Sequence, residues 1–143
     1  MLYVDTRVLV AALTSESQTA VAQGWLGRQP ADELAISEWV KTEFSAALSM
    51  KLRGGFLQIP DRAEALAVFA ELVETSFHVL PVTLSDFRVA ARFADQHSTG
   101  LRAGDALHLA IATNHGARIR ALDKGLVDAA QALGVSAALI SAE

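Results

Sequence analysis

Short, uniformly apolar runs alternate with longer stretches of helical periodicity along this whole sequence, and that alternation leaves few folds open. The runs at 2–4, 34–36, 79–82, 119–122 and 137–140 read as strands buried on both faces, because a half-exposed strand would alternate polar and apolar residues. Helical spacing covers 6–14, 18–28, 38–53, 61–75, 84–97, 104–114 and 124–133, with Gly116 and Gly134 where helices commonly stop. Strand–helix repetition of this kind predicts an α/β fold, a parallel sheet with helices on both faces. The fourth strand is the least regular: Arg118 and Arg120 flank Ile119, leaving only its second half apolar. No linker, repeat or low-complexity tract divides residues 1–143, so one domain is expected, long enough to bury roughly two-thirds of the surface its unfolded chain exposes.

Composition narrows the function classes. With 52% hydrophobic residues, long disorder is excluded, and with no cysteine there is neither a disulfide framework nor a thiolate metal site. Twelve basic against sixteen acidic residues give a net charge of −4, which argues against a general nucleic-acid coat protein unless bound cations neutralise part of the acid. The start lacks a basic n-region followed by an apolar h-region, and no uncharged apolar run approaches membrane-spanning length, so a cytoplasmic protein without a membrane partner is expected.

Four acids stand at positions that ordinary surface chemistry does not demand. Asp5 directly follows the first strand, where open parallel sheets bind ligands, although an N-cap of the next helix explains it equally well. Glu43 has Trp39, Val40, Ala46 and Ala47 three and four residues away, an apolar helix face without a local cation. A buried, unpaired glutamate is costly, and a metal ion is one of the few partners that keeps it ionised; a shallow helix letting it reach water is the alternative. Asp105 opens an apolar helix whose dipole favours an acid there, and Arg102 is a possible partner. Asp123 repeats the strand-end setting of Asp5 and is equally open to a capping role. Together the four can converge on one crevice, and their oxygen donors suit magnesium or manganese.

Tyr3-Val4-Asp5-Thr6, Thr42-Glu43-Phe44, Asp105-Ala106-Leu107-His108-Leu109-Ala110 and Leu122-Asp123-Lys124-Gly125-Leu126, in this order and spacing, make the chain resemble the PIN-domain nucleases over essentially its full length, and among them the toxins of VapBC-type toxin–antitoxin pairs. The resemblance implies a Rossmann-like sheet of order 3-2-1-4-5, Mg2+ or Mn2+ held by Asp5, Glu43, Asp105 and Asp123, and endonucleolytic cleavage of RNA. It also implies a homodimer and a small antitoxin that places a cation, usually arginine, among the acids. Two positions depart from the family pattern: Arg7 replaces a small polar residue, and Ala121 replaces a frequent hydroxyl.

Hydrolysis of a phosphodiester needs an activated water, a screened phosphate and a stabilised leaving oxygen, which paired divalent ions supply. RNA would then lie against basic or hydroxyl side chains near the crevice, for which Thr6, Arg7, Lys51, Arg53, Arg102 and Lys124 are the candidates; each basic one also fits a solvated helix face. His78, His97, His108 and His115 show no zinc spacing and read as ordinary surface or core residues. The glycines match neither a dinucleotide fingerprint nor a Walker loop, and no serine sits in a nucleophile elbow. Trp25 and Trp39, on helices with apolar neighbours, read as packing residues. A phosphatase using Asp5 as nucleophile lacks its second Asp, since Arg7 stands there, and a receiver domain lacks the Asp expected after the third strand. The alternative to an enzyme is a PIN scaffold that binds partners with little or no turnover.

Overall fold

A computed structural model describes residues 1–142. In chain order the elements are β1 (Leu2–Val4), α1 (Thr6–Leu13), α2 (Thr19–Arg28), β2 (Leu34–Ser37), α3 (Glu38–Arg53), α4 (Ile59–Ser76), β3 (His78–Leu80), α5 (Leu84–Ala94), a 3-10 turn (His97–Thr99), α6 (Ala103–Asn114), β4 (Arg118–Ala121), α7 (Lys124–Ala132) and β5 (Ala137–Leu139). The five strands form one sheet of order β3-β2-β1-β4-β5, and every neighbouring pair is parallel. Successive strand residues point to opposite faces, and Tyr3, Val4, Ala35 and Ile36 are all fully buried, so helices cover both faces of the central strands.

Several boundaries differ from the expected ones for identifiable reasons. The third strand runs from 78 to 80 rather than 79 to 82: His78, Val79 and Leu80 pair with Ala35, Ile36 and Ser37, and Pro81 then brings no N–H to continue the ladder. The fourth strand starts one residue earlier, because Arg118 pairs with Leu2 across the ladder despite its exposed side chain. Its pleat buries Ile119 and Ala121 and turns the two arginines the other way. Helix α4 starts at Ile59 rather than 61, since a proline fits a first helical turn and the Asp61 carboxylate accepts the Gln58 N–H at 3.4 Å. Helix α5 stops at Ala94 rather than 97, and the chain then turns through the 3-10 segment to Gly100 at φ 70°.

The core joins both layers. Phe44 of α3 stacks on Phe69 of α4 with ring centroids 4.1 Å apart, while α5 packs along α6. Successive strands from β1 build outward to β3 on one side, and the chain then returns to set β4 against the other side of β1. That reversal opens a crevice beyond the carboxyl ends of β1 and β4, from which Asp5 and Asp123 emerge.

Candidate active site

A cleft of about 830 Å³ lies at this reversal, and Asp5, Glu43, Asp105 and Asp123 all line it. Each arrives from a different element. Asp5 is the N-cap residue of α1, yet its side chain makes no capping hydrogen bond, and it is only 5% exposed. Asp123 caps α7 in earnest: its Oδ1 accepts the Gly125 N–H at 2.9 Å, while Oδ2 faces the Arg7 guanidinium at 3.3 Å. Asp105 sits in the first turn of α6. Arg102, at that helix's N-cap, lines the cleft too, but among the described residues no ion pair joins it to Asp105.

Helix α3 presents two stripes. Val40, Phe44 and Leu48 go into the core; Trp39, Glu43, Ala46, Ala47 and Met50 form the cleft wall. The apolar face around Glu43 is therefore a cavity wall, and the carboxylate is partly exposed. Nor is it unpaired, as its sequence neighbours suggested. Glu43 Oε1 accepts a 2.6 Å hydrogen bond from Thr6 Oγ1 and is hydrogen-bonded to His108 Nε2. Gly104 lets the carboxylate approach: a Cβ there would stand 3.1 Å from Glu43 Oε2.

His108 is the residue sequence reasoning passed over. It lies three positions after Asp105 on α6, hence on the same helix face, which was the available signal. Its ring is buried, with Nδ1 2.7 Å from the Tyr3 hydroxyl and Nε2 3.8 Å from Asp5 Oδ1. The Tyr3 hydroxyl is also 2.7 Å from Ser37 Oγ, which accepts the Val40 N–H at 3.3 Å. Trp39, read from sequence as packing alone, also walls the cleft, with its indole N–H donating to the Gly104 carbonyl at 3.3 Å.

These contacts set the ionisation. Burial pushes the Asp5 carboxyl up, with help from Asp105 and Glu43 and against the pull of His108 and of a hydrogen bond from the Arg7 backbone. Asp105 is raised as well, first by burial, with Glu43 and Asp123 adding to it and His108 and Arg7 opposing. Glu43 is held below its ordinary value: burial alone would raise it, but the hydrogen bond and charge of His108 and the Thr6 hydroxyl win. Burial lowers His108, yet Glu43, Asp5 and Asp105 together bring it out above the usual imidazole range. Burial keeps the Tyr3 phenol protonated throughout.

Of the six candidate substrate contacts, Thr6, Arg7 and Arg102 line the cleft. Lys51, Arg53 and Lys124 do not. Lys51 is bound to Glu16 at 2.6 Å, Lys124 to Asp128 one turn along its own helix at 2.6 Å, and Arg53 is exposed at the end of α3. Three carboxylates, a capping carboxylate and a hydroxyl are hard oxygen donors, a set that suits magnesium or manganese rather than zinc or copper. Among the described residues no three His, Asp or Glu side chains stand close enough to enclose an ion as they are, so gripping one means drawing the carboxylates inward.

Residues 2–132 match the sequence profile of the PIN domain. No curated protein sequence matches the chain. Among solved structures it is similar to VapC20 of Mycobacterium tuberculosis, a sarcin–ricin-loop-cleaving toxin, with a TM-score of 0.71 and 19% identity over 94% of this chain and 96% of that one. The FitAcB structure from Neisseria gonorrhoeae gives a TM-score of 0.70 at 20% identity, covering 96% of each chain. VapBC2 from Rickettsia felis, bound to a promoter DNA fragment, gives 0.69 at 14% identity over 99% and 100%. At these identities the likeness is one of fold.

Proposed function

Since the chain belongs to the PIN-domain family, we propose that it is a magnesium- or manganese-dependent endoribonuclease and the toxin of a toxin–antitoxin pair. The observation that carries this reading is the convergence of Asp5, Glu43, Asp105 and Asp123 on one cleft, with Asp5 buried there and its carboxyl pushed up by that burial. An ionised carboxylate in that setting is costly until a cation joins it. When bound, the divalent ions activate water and screen the scissile phosphate.

The chain's own residues do the rest. Asp5, Asp105 and Asp123 offer the metal-holding carboxylates from three elements, and Glu43 completes the set from α3. Arg7 and Arg102 lie beside the acids, where they draw the phosphodiester backbone in by charge without reading its sequence. Burial of Asp5 and the apolar wall of Trp39, Ala46 and Ala47 limit the water that reaches the reacting phosphate.

The partner side of the proposal rests on the same cleft. An antitoxin segment would lie along Trp39, Ala47 and Met50 and place an arginine among the acids, and the toxin would pair with a second copy of itself. Several solved relatives are described as toxin–antitoxin complexes. RNA as substrate and a partner made in the same cell give a cytoplasmic setting; no helix of the described residues is long and apolar enough to cross a membrane.

Incubating the purified protein with mixed RNA in manganese, with and without chelator, tests the nuclease. Cleavage that needs manganese, and that is nearly abolished by Asp105→Asn without loss of the fold, is expected. A folded protein that leaves RNA intact in manganese would favour the PIN scaffold that binds without turnover, a reading to which the spread positions of the acids lend support.

A further inference from the structure

Tyr3, Ser37 and His108 are polar side chains in the middle of the core, at 0%, 0% and 1% exposure. Buried polar groups are costly unless each finds a partner, and apolar residues of the same shape would have served the packing alone. Here they form one continuous chain. Ser37 Oγ lies 2.7 Å from the Tyr3 hydroxyl, the Tyr3 hydroxyl 2.7 Å from His108 Nδ1, and His108 Nε2 is bonded to Glu43 Oε1. Of the described contacts of this chain, the one that opens into the cleft is Glu43.

The direction of the chain follows from its end. Nε2 faces carboxylate oxygens, Glu43 Oε1 and, at 3.8 Å, Asp5 Oδ1, so it carries a hydrogen and donates. With the ring neutral, Nδ1 accepts from the Tyr3 hydroxyl, and with the ring charged it donates to that hydroxyl's oxygen, so the contact holds in either state; Ser37 Oγ bonds the same hydroxyl and accepts the Val40 N–H as it caps α3. Strand β1 thus fixes Tyr3, Tyr3 fixes the imidazole plane and tautomer, and the imidazole fixes one oxygen of Glu43, with Thr6 Oγ1 gripping the same oxygen at 2.6 Å. Oε2 is left to turn toward the cleft.

We propose that His108, braced by Tyr3 and Ser37, is a positioning residue that holds the Glu43 carboxylate in the orientation needed to bind the divalent ion. The inference rests on the metal-dependent reading above. Hydrogen-bond partners of ligating groups, when removed, typically cost about 10–100-fold in metal affinity.

Manganese binding by calorimetry to the full chain tests it, with no substrate present. His108→Leu keeps the volume but removes both ring nitrogens; His108→Gln keeps an N–H able to reach Glu43; Tyr3→Phe keeps the imidazole but removes its brace. The expected result is a Kd weakened about 10–100-fold in His108→Leu, a return to within a few-fold of the parent in His108→Gln, and an intermediate value in Tyr3→Phe. A purely structural role would lower the unfolding temperature of all three without ordering their affinities this way. His108→Gln no better than His108→Leu, or affinities unchanged in the folded variants, overturns the positioning role while leaving the nuclease reading intact. If His108→Leu does not fold, Tyr3→Phe decides: an unchanged Kd there refutes the proposal. A parent that binds no manganese refutes the metal-dependent reading together with this one.

Discussion

Asp5→Asn in the metal-free protein removes a charge while keeping the side chain's shape. The fold contains its own comparison for what that charge costs. Asp86 is fully buried, but its Oδ1 accepts from Asn114 Nδ2 at 2.6 Å and its Oδ2 from the Thr83 N–H at 2.8 Å, so the carboxylate is satisfied where it helps pack α5 on α6. Asp5 is buried almost as deeply, but there burial outweighs the opposing pulls of His108, whose Nε2 lies 3.8 Å away, and of the Arg7 backbone N–H, so its charge is under-compensated. A buried polar group left under-satisfied costs about 1–3 kcal/mol, more if charged. The asparagine variant is therefore expected to be more stable at neutral pH by about 1–3 kcal/mol, an increase in unfolding temperature of roughly 3–10 °C for a domain of this size.

The pH dependence carries the sign. Burial raises the Asp5 pKa in the folded state above its unfolded value, so the penalty is complete above the folded pKa, shrinks as pH falls below it and is gone below the unfolded value. Below that point the parent carries a neutral acid, and the two proteins converge. Scanning fluorimetry in chelator, from mildly acidic to mildly alkaline buffer, reads both effects. Manganese should then raise the parent's unfolding temperature, by about 2.7 kcal/mol of stabilisation at a hundredfold excess over Kd, and leave the variant almost unmoved. A variant no more stable than the parent at neutral pH, or a gap that widens toward acid, would mean that His108 and the Arg7 N–H fully satisfy Asp5, and the argument from an under-compensated buried charge would fail.

Glu43→Gln is expected to behave in the opposite way, losing about 1 kcal/mol at neutral pH in urea unfolding, because Glu43 accepts bonds from Thr6 and His108 as an anion; its pKa is lowered, so that contribution is present above the unfolded value and fades as pH falls through the folded one. In Gly104→Ala the new Cβ, 3.1 Å from Glu43 Oε2, should cut the rate of RNA cleavage about tenfold or more by displacing the carboxylate, while helix propensity keeps the melting temperature level or higher; an unchanged rate would remove Gly104 from the site. Arg7→Ala in an Asp105→Asn background should weaken RNA binding and reduce the salt slope of the binding constant by about one, read by filter binding.

The strand-end acids were legible because a residue just past a buried apolar run has little freedom: Asp5 and Asp123 had to emerge at the sheet's carboxyl edge. Sequence could not show that Asp123 caps its helix at the cleft's rim while Asp5 is buried, since both share the same local pattern. The environment of Glu43 was half legible. Its apolar neighbours on α3 were evident, but the histidine that pairs with it lay 65 residues away on another helix, and no local spacing reveals that. For the same reason His108 looked like a lone core histidine. Lys51 and Lys124 were misplaced because a basic residue near a motif in sequence is as free to pair with Glu16 or Asp128 as to face the cleft.

The position of β4 has a consequence in time. It pairs directly with β1, so strands more than a hundred residues apart in sequence lie side by side, and Asp123 reaches the cleft beside Asp5 only once the chain has been made through β4. Local helices form early, whereas closing so long a loop is the slow, entropically costly part of folding. Until β4 docks, β1, β2 and β3 lack the wall of the acidic cleft that carries Asp123. The four acids are therefore brought together only after β4 has docked, a delay written into strand order rather than into any residue of the site.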